Sequence, residues 1–460
     1  MRFIPAVALC ALAGQGANAA LVADLTTTAG IKTTAKTLAT DLLSFYTGNR
    51  VGDTPGNLPD PYYWWEAGAV FGTMINYWYY TGDESFNAIT LQAMAHQVGD
   101  DYDYMPLNQT KTLGNDDQGF WGMSAMMAAE ANFPEAPKPV PGWLALAQGV
   151  FNTQASRWDD KTCGGGLRWQ IFPFNNGYDY KNTISNGCFF NLAARLALYT
   201  GNSTYTDWAT KTWDWVYNEG LVEPGTYKVF DGTNIRDNCT SKDHNQWTYN
   251  AGIYLLGAAS MYNMTTGNVQ AQWQERVSGL LNQTVATFFA NGAPMRELCE
   301  STQPGVASKC NTDQRSFKGY LARWMAATSR IAPFTQPTIA PLLANSAAAV
   351  VKTCSGGNSG TQCGLRWDTG AFDGSNGVGE QMAALEVVQG NLVGQAKDWA
   401  SRVKGTGNST ENNDAGATSQ TAATLLNKPI TTKDRVGAGF LTALVMIGVV
   451  GGSATLMISE

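Results

Sequence analysis

The chain has 460 residues, of which 15% are charged and 11% are aromatic, and its net charge is −7. Disordered chains are rich in charge and poor in aromatic residues, so this composition excludes disorder and predicts a large packed core. The sequence lacks basic clusters, which argues against nucleic acid as a partner. Its 15 tryptophans suit carbohydrate binding, because sugar C–H faces stack on indole rings, but they also suit any large core.

Residues 1–19 have the three parts of a secretory signal peptide. Arg2 precedes the apolar run Ile4–Ala13, and Ala17-Asn18-Ala19 matches a small-residue cleavage site. The sequence therefore predicts a secreted protein. Six N-glycosylation sequons agree with this prediction; they stand at Asn108, Asn202, Asn238, Asn263, Asn282 and Asn408.

Apolar residues recur with helical periodicity through the body of the chain, residues 20–400, and the connections are rich in Gly, Pro, Asn and Asp. This pattern predicts about twelve helices. In chain order they are Lys32–Tyr46, Trp65–Tyr80, the Thr90–Tyr104 region, Gly119–Ala131, Trp143–Arg157, Asn186–Tyr199, Thr206–Glu219, Trp247–Met264, Val269–Phe289, Ser316–Ser329, Ile339–Lys352 and Gly379–Leu392.

A weak internal repeat links several of these helices. INYWYYTGD from Ile75, RLALYTGN from Arg195 and SMYNMTTGN from Ser260 all end in Thr-Gly, where glycine supplies a left-handed helix stop. Recurring helix pairs that cannot bury their faces alone indicate a closed or stacked array. A dozen helices predict an all-α fold, an (α/α)6 barrel forming a single catalytic domain. A solenoid is the alternative, which the unequal loops and the aromatic content disfavour.

Aromatic residues cluster in DPYYWWEAG, from Asp60, at the start of a predicted helix. Trp64 and Trp65 could stack on a sugar, with Glu66 beside them, so we predict that these three residues bind substrate. The alternative is that the indole rings pack beneath the helix.

Asn115, Asp116 and Asp117 precede another apolar helix, in LGNDDQGFWG. Asn and Asp are preferred helix N-caps, but one cap accounts for only one of these residues. Two neighbouring carboxylates repel each other, so one has a raised pKa and holds a proton, while the positive helix end favours the other as an anion. Glycoside hydrolysis needs this division, and retaining enzymes place the two carboxyl groups about 5 Å apart.

A long loop from Cys163, CGGGLRWQIFPFNNGYDYKNTISNG, carries Trp169, Tyr180 and Asn186. Rings beside amides and carboxylates make a sugar trough, so we predict that these residues bind substrate.

Two further acidic segments are assigned structural roles. GDDYDYMP from Gly99 lacks the glycine and the final Glu of a calcium loop and is predicted to be a solvated loop, with a sugar- or cation-binding role as the alternative. Asp243 and Asn245 are predicted helix caps.

Seven cysteines remain after signal-peptide removal. Close spacing in an oxidising compartment predicts two disulfide bonds, Cys299–Cys310 and Cys354–Cys363. One of Cys163, Cys188 and Cys239 must stay free, and Cys188 is predicted to be the buried thiol because it lies in an apolar helical stretch. The sequence has no CxxC pair and only two His, so no metal site is predicted, and no cofactor is predicted either.

Small polar residues dominate from Gly405, and residues 401–435 are predicted to be a polar linker with a GPI-attachment region. Residues 436–460 form an almost uncharged tail, predicted to be a GPI signal that is removed. The candidate attachment residues are Asn413, Asp414 and Gly416. A transmembrane helix is the alternative, but no basic cluster follows the tail. The pattern predicts a GPI lipid on the outer face of the plasma membrane, or the cell wall, as the location.

Several segments together resemble glycoside hydrolase family 76 over nearly the whole body. These are YYWWEAGAVFGTMINYWYYTGD, NDDQGFWGMSAMMAAEANFP, CGGGLRWQI, TISNGCFFNLAARLALYTGN and SFKGYLARWM. The resemblance implies an (α/α)6 barrel and a retaining mechanism on α-1,6-linked mannose, with Asp116 as nucleophile and Asp117 as general acid/base. Four further residues of these motifs are predicted to bind substrate: Asn115, Gln118, Phe317 and Lys318.

Within that family the chain looks most like fungal GPI-anchored cell-wall members. The resemblance implies a transglycosidase that cuts the mannose core of a GPI glycan and passes the glycoprotein to cell-wall β-glucan. Its implied partners are a mannose-containing glycan (the GPI core or α-1,6-mannan), a β-glucan acceptor and GPI-anchored glycoproteins. The alternatives are a plain endo-α-1,6-mannanase, an inverting glycosidase with more distant acids, and a non-catalytic mannan-binding wall protein.

Overall fold

The computed structural model describes residues 20–303, residues 306–417 and, further on, residues 432, 435–436, 439 and 442–447. The chain divides into two units, Met1–Ser419 and Gln420–Glu460. Twelve α-helices occupy the described part of the first unit. They are α1 Thr28–Leu43, α2 Trp64–Thr81, α3 Asn87–His96, α4 Asn115–Ala131, α5 Trp143–Ser156, α6 Thr183–Thr200, α7 Ser203–Asn218, α8 Thr248–Met264, α9 Gly267–Phe288, α10 Phe317–Ile331, α11 Gln336–Val350 and α12 Val378–Gln389.

The even-numbered helices form a closed inner ring. Helix α2 packs on α4, α4 on α6, α6 on α8, α8 on α10, α10 on α12, and α12 returns to α2. The odd-numbered helices pack outside, each against one or two inner neighbours. Ring closure excludes the solenoid, so the predicted (α/α)6 barrel is confirmed.

Inner and outer helices differ in how much of their surface is buried. Every residue of α6 from Thr183 to Ala197 is buried, because neighbours surround this helix. The outer helix α7 buries only one face, through Tyr205, Ala209, Trp213 and Val216, at the spacing of an amphipathic helix. Inner helices approach closely where residues are small, so a Cβ on Gly119 of α4 would lie 2.5 Å from the Cβ of Cys188 on α6.

Two of the predicted Thr-Gly stops are confirmed. Gly82 after α2 and Gly201 after α6 both have φ 73°, and each donates its N–H to a carbonyl of the last turn. The third motif differs, because α8 is followed by an extended Thr265 and Gly267 begins α9. The helix predicted over Thr90–Tyr104 ends at His96, since a turn with φ 73° at Gly99 breaks it.

A small antiparallel sheet lies next to the starts of α6 and α8. Strand β1 Tyr180–Asn182 pairs with β2 Gly232–Asn234, which pairs with β3 Lys242–Asp243. The register sets Asn182 opposite Gly232, and Gly232 opposite Asp243. Three residue positions far apart in sequence therefore meet just ahead of α6.

Among the described residues, three disulfide bonds cross-link the loops, and two of them were predicted. Cys299–Cys310 and Cys354–Cys363 are confirmed, and the third is Cys163–Cys239, with Cα atoms 5.8 Å apart. The predicted free thiol is also confirmed, since Cys188 is unbridged and buried.

Residues 401–417, predicted to begin a polar linker, instead form a strap along α5. Leu144 donates its N–H to Ser409 Oγ at 3.0 Å, and Gln148 Nε2 donates to Asn413 Oδ1 at 2.9 Å. Asn152 Nδ2 donates to the carbonyls of both Asn413 and Ala415. Side-chain amides of α5 thus replace water as partners of the strap backbone, and the packed body extends beyond residue 400 to Ala417.

The candidate attachment residues Asn413, Asp414 and Gly416 lie in this strap. The signal peptide predicted at 1–19 and most of the tail predicted at 436–460 lie outside the described residues, so both stay predictions. Within the described part of the chain, no helix has the length and apolar character needed to cross a membrane.

Candidate active site

A cleft of about 290 Å³ opens at the end of the barrel where the inner helices begin. The inner helices all run in one direction, so their N-termini meet at this end and turn their positive dipole ends towards the cleft. First turns of inner helices and the loops before them supply the walls. The lining residues are Trp65, Asp116, Asp117, Phe120, Trp169, Tyr180, Asn182, Ile184, Asp231, Asp243, Asn245, Trp247, Tyr249, Asn311, Asp313, Gln314 and Phe317.

The two consecutive aspartates lie in the first turn of α4. Gly114, the N-cap, donates its N–H to Asp117 Oδ2 at 2.6 Å, so Asp117 closes a capping box. The N–H of Asp117 donates to Asp116 Oδ1 at 3.1 Å. Asp116 is only 9% exposed, and Asp117 is half-buried. The structure therefore brings both predicted catalytic carboxyls into the cleft.

Oxygens of both carboxyl groups lie close to Gly114, which limits the distance between them. A Cβ on Gly114 would lie 2.3 Å from Asp116 Oδ1 and 3.3 Å from Asp117 Oδ2. These two oxygens are therefore less than about 6 Å apart, which is below the ~6.5–9.5 Å separation of inverting glycosidases and compatible with the ~5–5.5 Å of retaining ones. The backbone of Gly114 is ordinary extended chain, so glycine is required there for space alone.

The surroundings divide the two carboxyls into an anion and an acid. Burial raises the pKa of Asp116, but Asn182 Nδ2, 3.1 Å from Oδ2, and the N–H of Asp117 oppose the rise by bonding the anion. Burial also raises the pKa of Asp117 well above its usual range, the Asp116 carboxylate adds to the rise, and the N–H of Gly114 opposes it. Two hydrogen bonds thus favour the anion of Asp116, whereas the neighbouring Asp116 carboxylate favours the protonated form of Asp117.

Asn182 holds the Asp116 carboxylate from the neighbouring helix. It is the N-cap of α6, with Oδ1 accepting the N–H of Ser185 at 3.3 Å, which leaves Nδ2 free to reach Asp116. Asn186 donates from Nδ2 to the Asn182 carbonyl at 2.9 Å and to the Leu167 carbonyl at 3.0 Å. Asn186 is fully buried, so it supports Asn182 and does not line the cleft as predicted.

The small sheet forms one wall of the cleft. Tyr180 donates its hydroxyl to Asp231 Oδ2 at 2.8 Å, and Asp243 stands on the adjoining strand. Burial raises the pKa of Asp231, and the Tyr180 bond opposes the rise. A Cβ on Gly232 would lie 2.6 Å from the Tyr180 ring, so glycine leaves room for this ring. This wall combines an aromatic face with two carboxyl groups.

A second part of the cleft lining is also aromatic and acidic. Trp65 donates from Nε1 to Asp313 Oδ1 at 3.3 Å, and its ring lies 4.7 Å from that of Phe120. Phe317 stacks on Tyr249 with 3.8 Å between ring centroids. Burial raises the pKa of Asp313, while the Trp65 bond opposes the rise. Flat rings between hydrogen-bonding carboxyls are the surface that a sugar chain needs.

The lining contains five carboxyl groups and, among the described residues, no Lys or Arg. The acids are Asp116, Asp117, Asp231, Asp243 and Asp313. Their field is negative and attracts cationic groups. Within the described ranges, no three His, Cys, Asp or Glu side chains are arranged to hold a metal ion.

The family model for glycosyl hydrolase family 76 matches residues 30–403. The chain belongs to this family. It is therefore a glycoside hydrolase, which excludes the non-catalytic mannan-binding alternative. Among its relatives, mannan endo-1,6-alpha-mannosidase DCW1 of Saccharomyces cerevisiae is 48% identical over 414 residues, covering 90% of each chain.

Solved structures support the same assignment. Dfg5 from Chaetomium thermophilum, in complex with glucosamine, is 46% identical, has a TM-score of 0.82 and is matched over 88% of this chain and 99% of that one. The α-1,6-mannanase from Salegentibacter sp. has a TM-score of 0.62 at 17% identity, over 78% of this chain and 98% of that one. The second likeness shows the shared fold.

Two residues predicted to bind substrate in this family 76 enzyme pack in the core instead. Trp64 stacks on Trp121, with 5.1 Å between ring centroids, and donates from Nε1 to Gln97. Lys318 is 1% exposed, and its Nζ contacts Glu300 Oε1 and the Leu365 carbonyl, both at 2.6 Å. Their neighbours Trp65 and Phe317 do line the cleft, as do Trp169 and Tyr180.

Three more predicted substrate residues support the cleft from behind. Asn115 accepts from Arg157 Nε at 2.8 Å and donates from Nδ2 to the Arg168 carbonyl, and its own N–H donates to the Trp169 carbonyl. Gln118 is fully buried and also bonds Arg157. Glu66 is fully buried, and within the described part of the chain neither of its oxygens has a hydrogen-bond partner.

Sequence reasoning missed Asn182, Asp231 and Asp313, and it assigned Asp243 and Asn245 as caps of a helix that begins only at Thr248. Most of these residues lie shortly before an inner helix. That position was the available signal, because in an (α/α)6 barrel the segments before the inner helices meet at one end.

Proposed function

We propose that this family 76 enzyme is a retaining endo-α-1,6-mannosidase. The observation that carries the proposal is the Asp116–Asp117 pair, which lies in an aromatic cleft whose described lining residues include no Lys or Arg. The relatives support the linkage, since DCW1 and DFG5 of Saccharomyces cerevisiae, 48% and 43% identical, are named mannan endo-1,6-alpha-mannosidases.

The first step forms a covalent intermediate. The Asp116 carboxylate attacks the anomeric carbon and forms a glycosyl ester, while Asp117 gives its proton to the departing glycosidic oxygen. Asp116 suits the nucleophile because two hydrogen bonds stabilise its anion, and Asp117 suits the acid because burial and Asp116 raise its pKa.

The second step reverses the roles. A hydroxyl, from water or from a sugar, attacks the anomeric carbon while the Asp117 carboxylate takes its proton. The ester bond breaks, Asp116 leaves as a carboxylate, and two inversions give net retention. Hydrolysis and transfer therefore differ only in the hydroxyl that arrives.

A bacterial mannanase of the same fold supports the choice of aspartates. Its inactive variants, in complex with α-1,6-mannotetrose or α-1,6-mannotriose, replace two consecutive aspartates with Ala or Asn. This chain has three such pairs. Asp100–Asp101 is exposed, and in Asp159–Asp160 the first carboxylate contacts Arg168 at 2.8 Å. Among the described cleft residues, only Asp116–Asp117 forms such a pair.

The finer part of the proposal is the substrate. We infer that the mannose chain carries an amino sugar, as the core glycan of a GPI anchor does, and that the enzyme transfers it to cell-wall β-glucan. Five carboxyl groups without a lining cation favour an ammonium group, and a relative, Dfg5, has been crystallised with glucosamine. We also propose that the protein is secreted and held by a GPI anchor. All six sequon asparagines are exposed, which supports glycosylation of a secreted protein.

The test is product analysis with the full chain and α-1,6-mannotetraose. We expect shorter α-1,6-mannosides, with the first-formed product in the α configuration by proton NMR. Absence of cleavage would contradict the mannosidase, and a β product would contradict double displacement. A parallel reaction with a β-linked gluco-oligosaccharide separates transfer from hydrolysis.

The amino-sugar part has its own matched control. A mannoside ending in glucosamine should be cleaved faster than the same mannoside with its amine acetylated, because acetylation removes the positive charge. The difference should shrink at high salt, which screens the carboxylates. Equal rates for the two substrates at low salt would contradict recognition of the ammonium group.

A further inference from the structure

A second cavity, of about 420 Å³, lies at the other end of the barrel, where the inner helices end. Last-turn residues of α6, α8 and α10 line it, among them Asn263 and Arg330. The buried pair of Glu130 and Arg195 and the segment 398–401 supply much of the remaining lining. The volume falls within the range of about 300–1,000 Å³ that is usual for ligand sites.

The closing segment, residues 396–404, contributes one wall of this cavity and is fixed to the barrel by hydrogen bonds. Ala400 donates its N–H to the Glu130 carbonyl at 2.7 Å. Arg330 at the end of α10 donates from Nη2 to the Ala396 carbonyl at 2.6 Å. The cavity therefore has fixed walls, set by the barrel on one side and by the closing segment on the other.

One residue of the lining, Asn263, is the asparagine of the sequon Asn263-Met264-Thr265. Asn263 is exposed, and its Nδ2 donates to the Ile331 carbonyl at 2.7 Å. The amide nitrogen has two hydrogens, and the Ile331 carbonyl accepts one of them. Glycosylation replaces only the other, so this hydrogen bond can persist and hold the planar amide in place. The first sugar of a glycan on Asn263 therefore starts at the cavity in a fixed direction.

The two guanidinium groups of the lining already have carboxylate partners. Arg195 lies 2.6 Å from Glu130, and Arg330 lies 3.0 Å from Asp398. The third cation of the lining, Lys404, is exposed to solvent. These pairings disfavour an anionic ligand inside the cavity and favour an uncharged one.

The closing segment also supplies an aromatic surface. Trp399 lines the cavity and is half-buried, with the Arg195 guanidinium 5.6 Å from its ring centroid. An indole ring can stack on the C–H face of a sugar, and N-acetylglucosamine, the first sugar of an N-linked glycan, is uncharged. The lining therefore suits the group that the sequon would attach.

We propose that the innermost N-acetylglucosamine units of a glycan on Asn263 occupy this cavity, where they contact Trp399 and cover the closing segment. This inference rests on the secretion proposed above. Asn282 provides the contrast, because it is exposed on the outer helix α9 and lies outside the cavity lining. A glycan on Asn282 extends into solvent, whereas the glycan on Asn263 is part of the packed end of the barrel.

Site-resolved deglycosylation tests the proposal on the full chain, expressed in a yeast host that glycosylates secreted proteins. Peptide-N-glycosidase F cleaves the bond between the asparagine amide and the first sugar, and mass spectrometry detects each cleaved site as an Asn-to-Asp change. In the native protein we expect release at Asn263 to be on the order of tenfold slower than at Asn282, because the sugars must first leave the cavity. Equal native rates, or a difference that persists after unfolding, overturn the proposal.

Two substitutions test whether the cavity protects the glycan. Trp399→Ala removes the ring that the sugars contact and should bring release at Asn263 close to the Asn282 rate. Phe334→Ala is the matched control and should leave release at Asn263 slow, since Phe334 is 36% exposed, follows α10 at the same end of the barrel and lies outside the lining. Unchanged kcat verifies that each variant is folded. Slow release at Asn263 in folded Trp399→Ala overturns the proposal.

A further pair of variants removes the glycan without changing the cavity lining. Thr265→Ala destroys the sequon, whereas Thr265→Ser keeps it and keeps a hydroxyl to bond the Met261 carbonyl. In Thr265→Ala the N–H groups of Ala400 and Arg402 should exchange hydrogen several-fold faster than in the wild type, because the sugars no longer cover the closing segment. Thr265→Ser should match the wild type. Equal exchange in the two variants overturns the contact between the glycan and the closing segment.

The other sequons separate failure of this inference from failure of the proposed secretion. Glycans on Asn282 and other sites, with Asn263 unmodified, overturn the inference while secretion stands. A protein without a glycan at any of the six sequons contradicts the secretory setting, and the inference fails with it.

Discussion

Helix α4 carries buried acids at both ends, and the two ends treat them in opposite ways. At its C-terminus Glu130 is held by a bidentate ion pair, with Arg195 Nε 2.9 Å from Oε1 and Nη2 2.6 Å from Oε2. Both side chains are at most 3% exposed, and the Arg195 guanidinium lies over the Trp399 ring, 5.6 Å from its centroid. At its N-terminus Asp116 and Asp117 line an open cleft and, within the part of the chain that the structure describes, neither is paired with a Lys or Arg.

The helix dipole makes this contrast informative. The negative end of a helix disfavours a carboxylate, so Glu130 requires a guanidinium to remain buried. The positive end favours carboxylates, yet burial and mutual repulsion leave both aspartates with raised pKa values. Arg195 therefore pairs with Glu130, the acid that stabilises the fold. Among the described lining residues, no Lys or Arg pairs with Asp116 and Asp117, the acids of the cleft.

The largest expected effect is at the cleft. Asp116→Asn and Asp117→Asn should each lower kcat by about 10⁴. The matched control is Asp100→Asn with Asp101→Asn, an exposed consecutive pair, which should leave kcat unchanged. A folded variant of either cleft aspartate that kept substantial activity would move the chemistry elsewhere.

The same Asp117→Asn variant should be at least as stable as the wild type at pH 7. Folding raises the pKa of Asp117, so the folded state binds its proton more tightly than the unfolded state, and stability falls as pH rises above the usual pKa of about 4. Asparagine removes that loss, giving a gain of about 1 kcal/mol at pH 7 that vanishes near pH 4. Urea unfolding at both pH values measures it.

At the C-terminus of α4, a substitution should lower the stability and leave the activity unchanged. Glu130→Gln leaves the Arg195 charge buried without its partner, so the free energy of unfolding should fall by about 3–5 kcal/mol while kcat per folded molecule stays the same. Replacing both partners, Glu130→Leu with Arg195→Met, should cost less than the single change. A loss below about 1 kcal/mol for Glu130→Gln would remove the contrast between the ends.

Gly114→Ala should cause the next largest loss of catalytic rate. The added Cβ would collide with Asp116 Oδ1 at 2.3 Å, and a displacement of about 1 Å in a catalytic group costs about 10²-fold in rate. Gly394→Ala is the control, since no atom lies within 4 Å of its added Cβ. Steady-state kinetics on an α-1,6-mannoside distinguish the two. Equal rates would show that the aspartates tolerate movement.

The smallest expected effect is on the pH profile. Asn182→Ser keeps a helix-capping oxygen but removes the amide that bonds the Asp116 anion, so the pKa of Asp116 should rise. Because Asp116 must be ionised to attack, the acidic limb of kcat/KM should move to higher pH, with a several-fold loss on that side and little change above it. An unmoved limb would show that Asn182 does not stabilise the nucleophile.

The fold could be predicted from the sequence because its signals are local. Apolar periodicity marked all twelve helices, and Thr-Gly stops marked the ends of two inner ones. The barrel then follows from the number of helix pairs. The strap of residues 401–417 could not be predicted, because its partners are the amides of Gln148 and Asn152, far away in sequence.

The site could be predicted only in part, for a reason that Trp64 and Trp65 illustrate. An inner helix is buried on all sides, so its sequence does not show which face meets the cleft. The rotation of α2 in the ring decides that Trp65 lines the cleft and Trp64 packs on Trp121. The same holds for α10, where Phe317 lines the cleft and Lys318 packs in the core.

The most direct test of the account is to trap the covalent intermediate. Asp117→Asn lacks the general base for the second step, so with an α-mannosyl donor whose leaving group needs no proton it should accumulate a mannosyl ester. Digestion and mass spectrometry should then find one hexose on the peptide that contains Asp116, attached to that residue. A hexose on another carboxylate such as Asp313, or release of the β anomer without any adduct, would contradict the account.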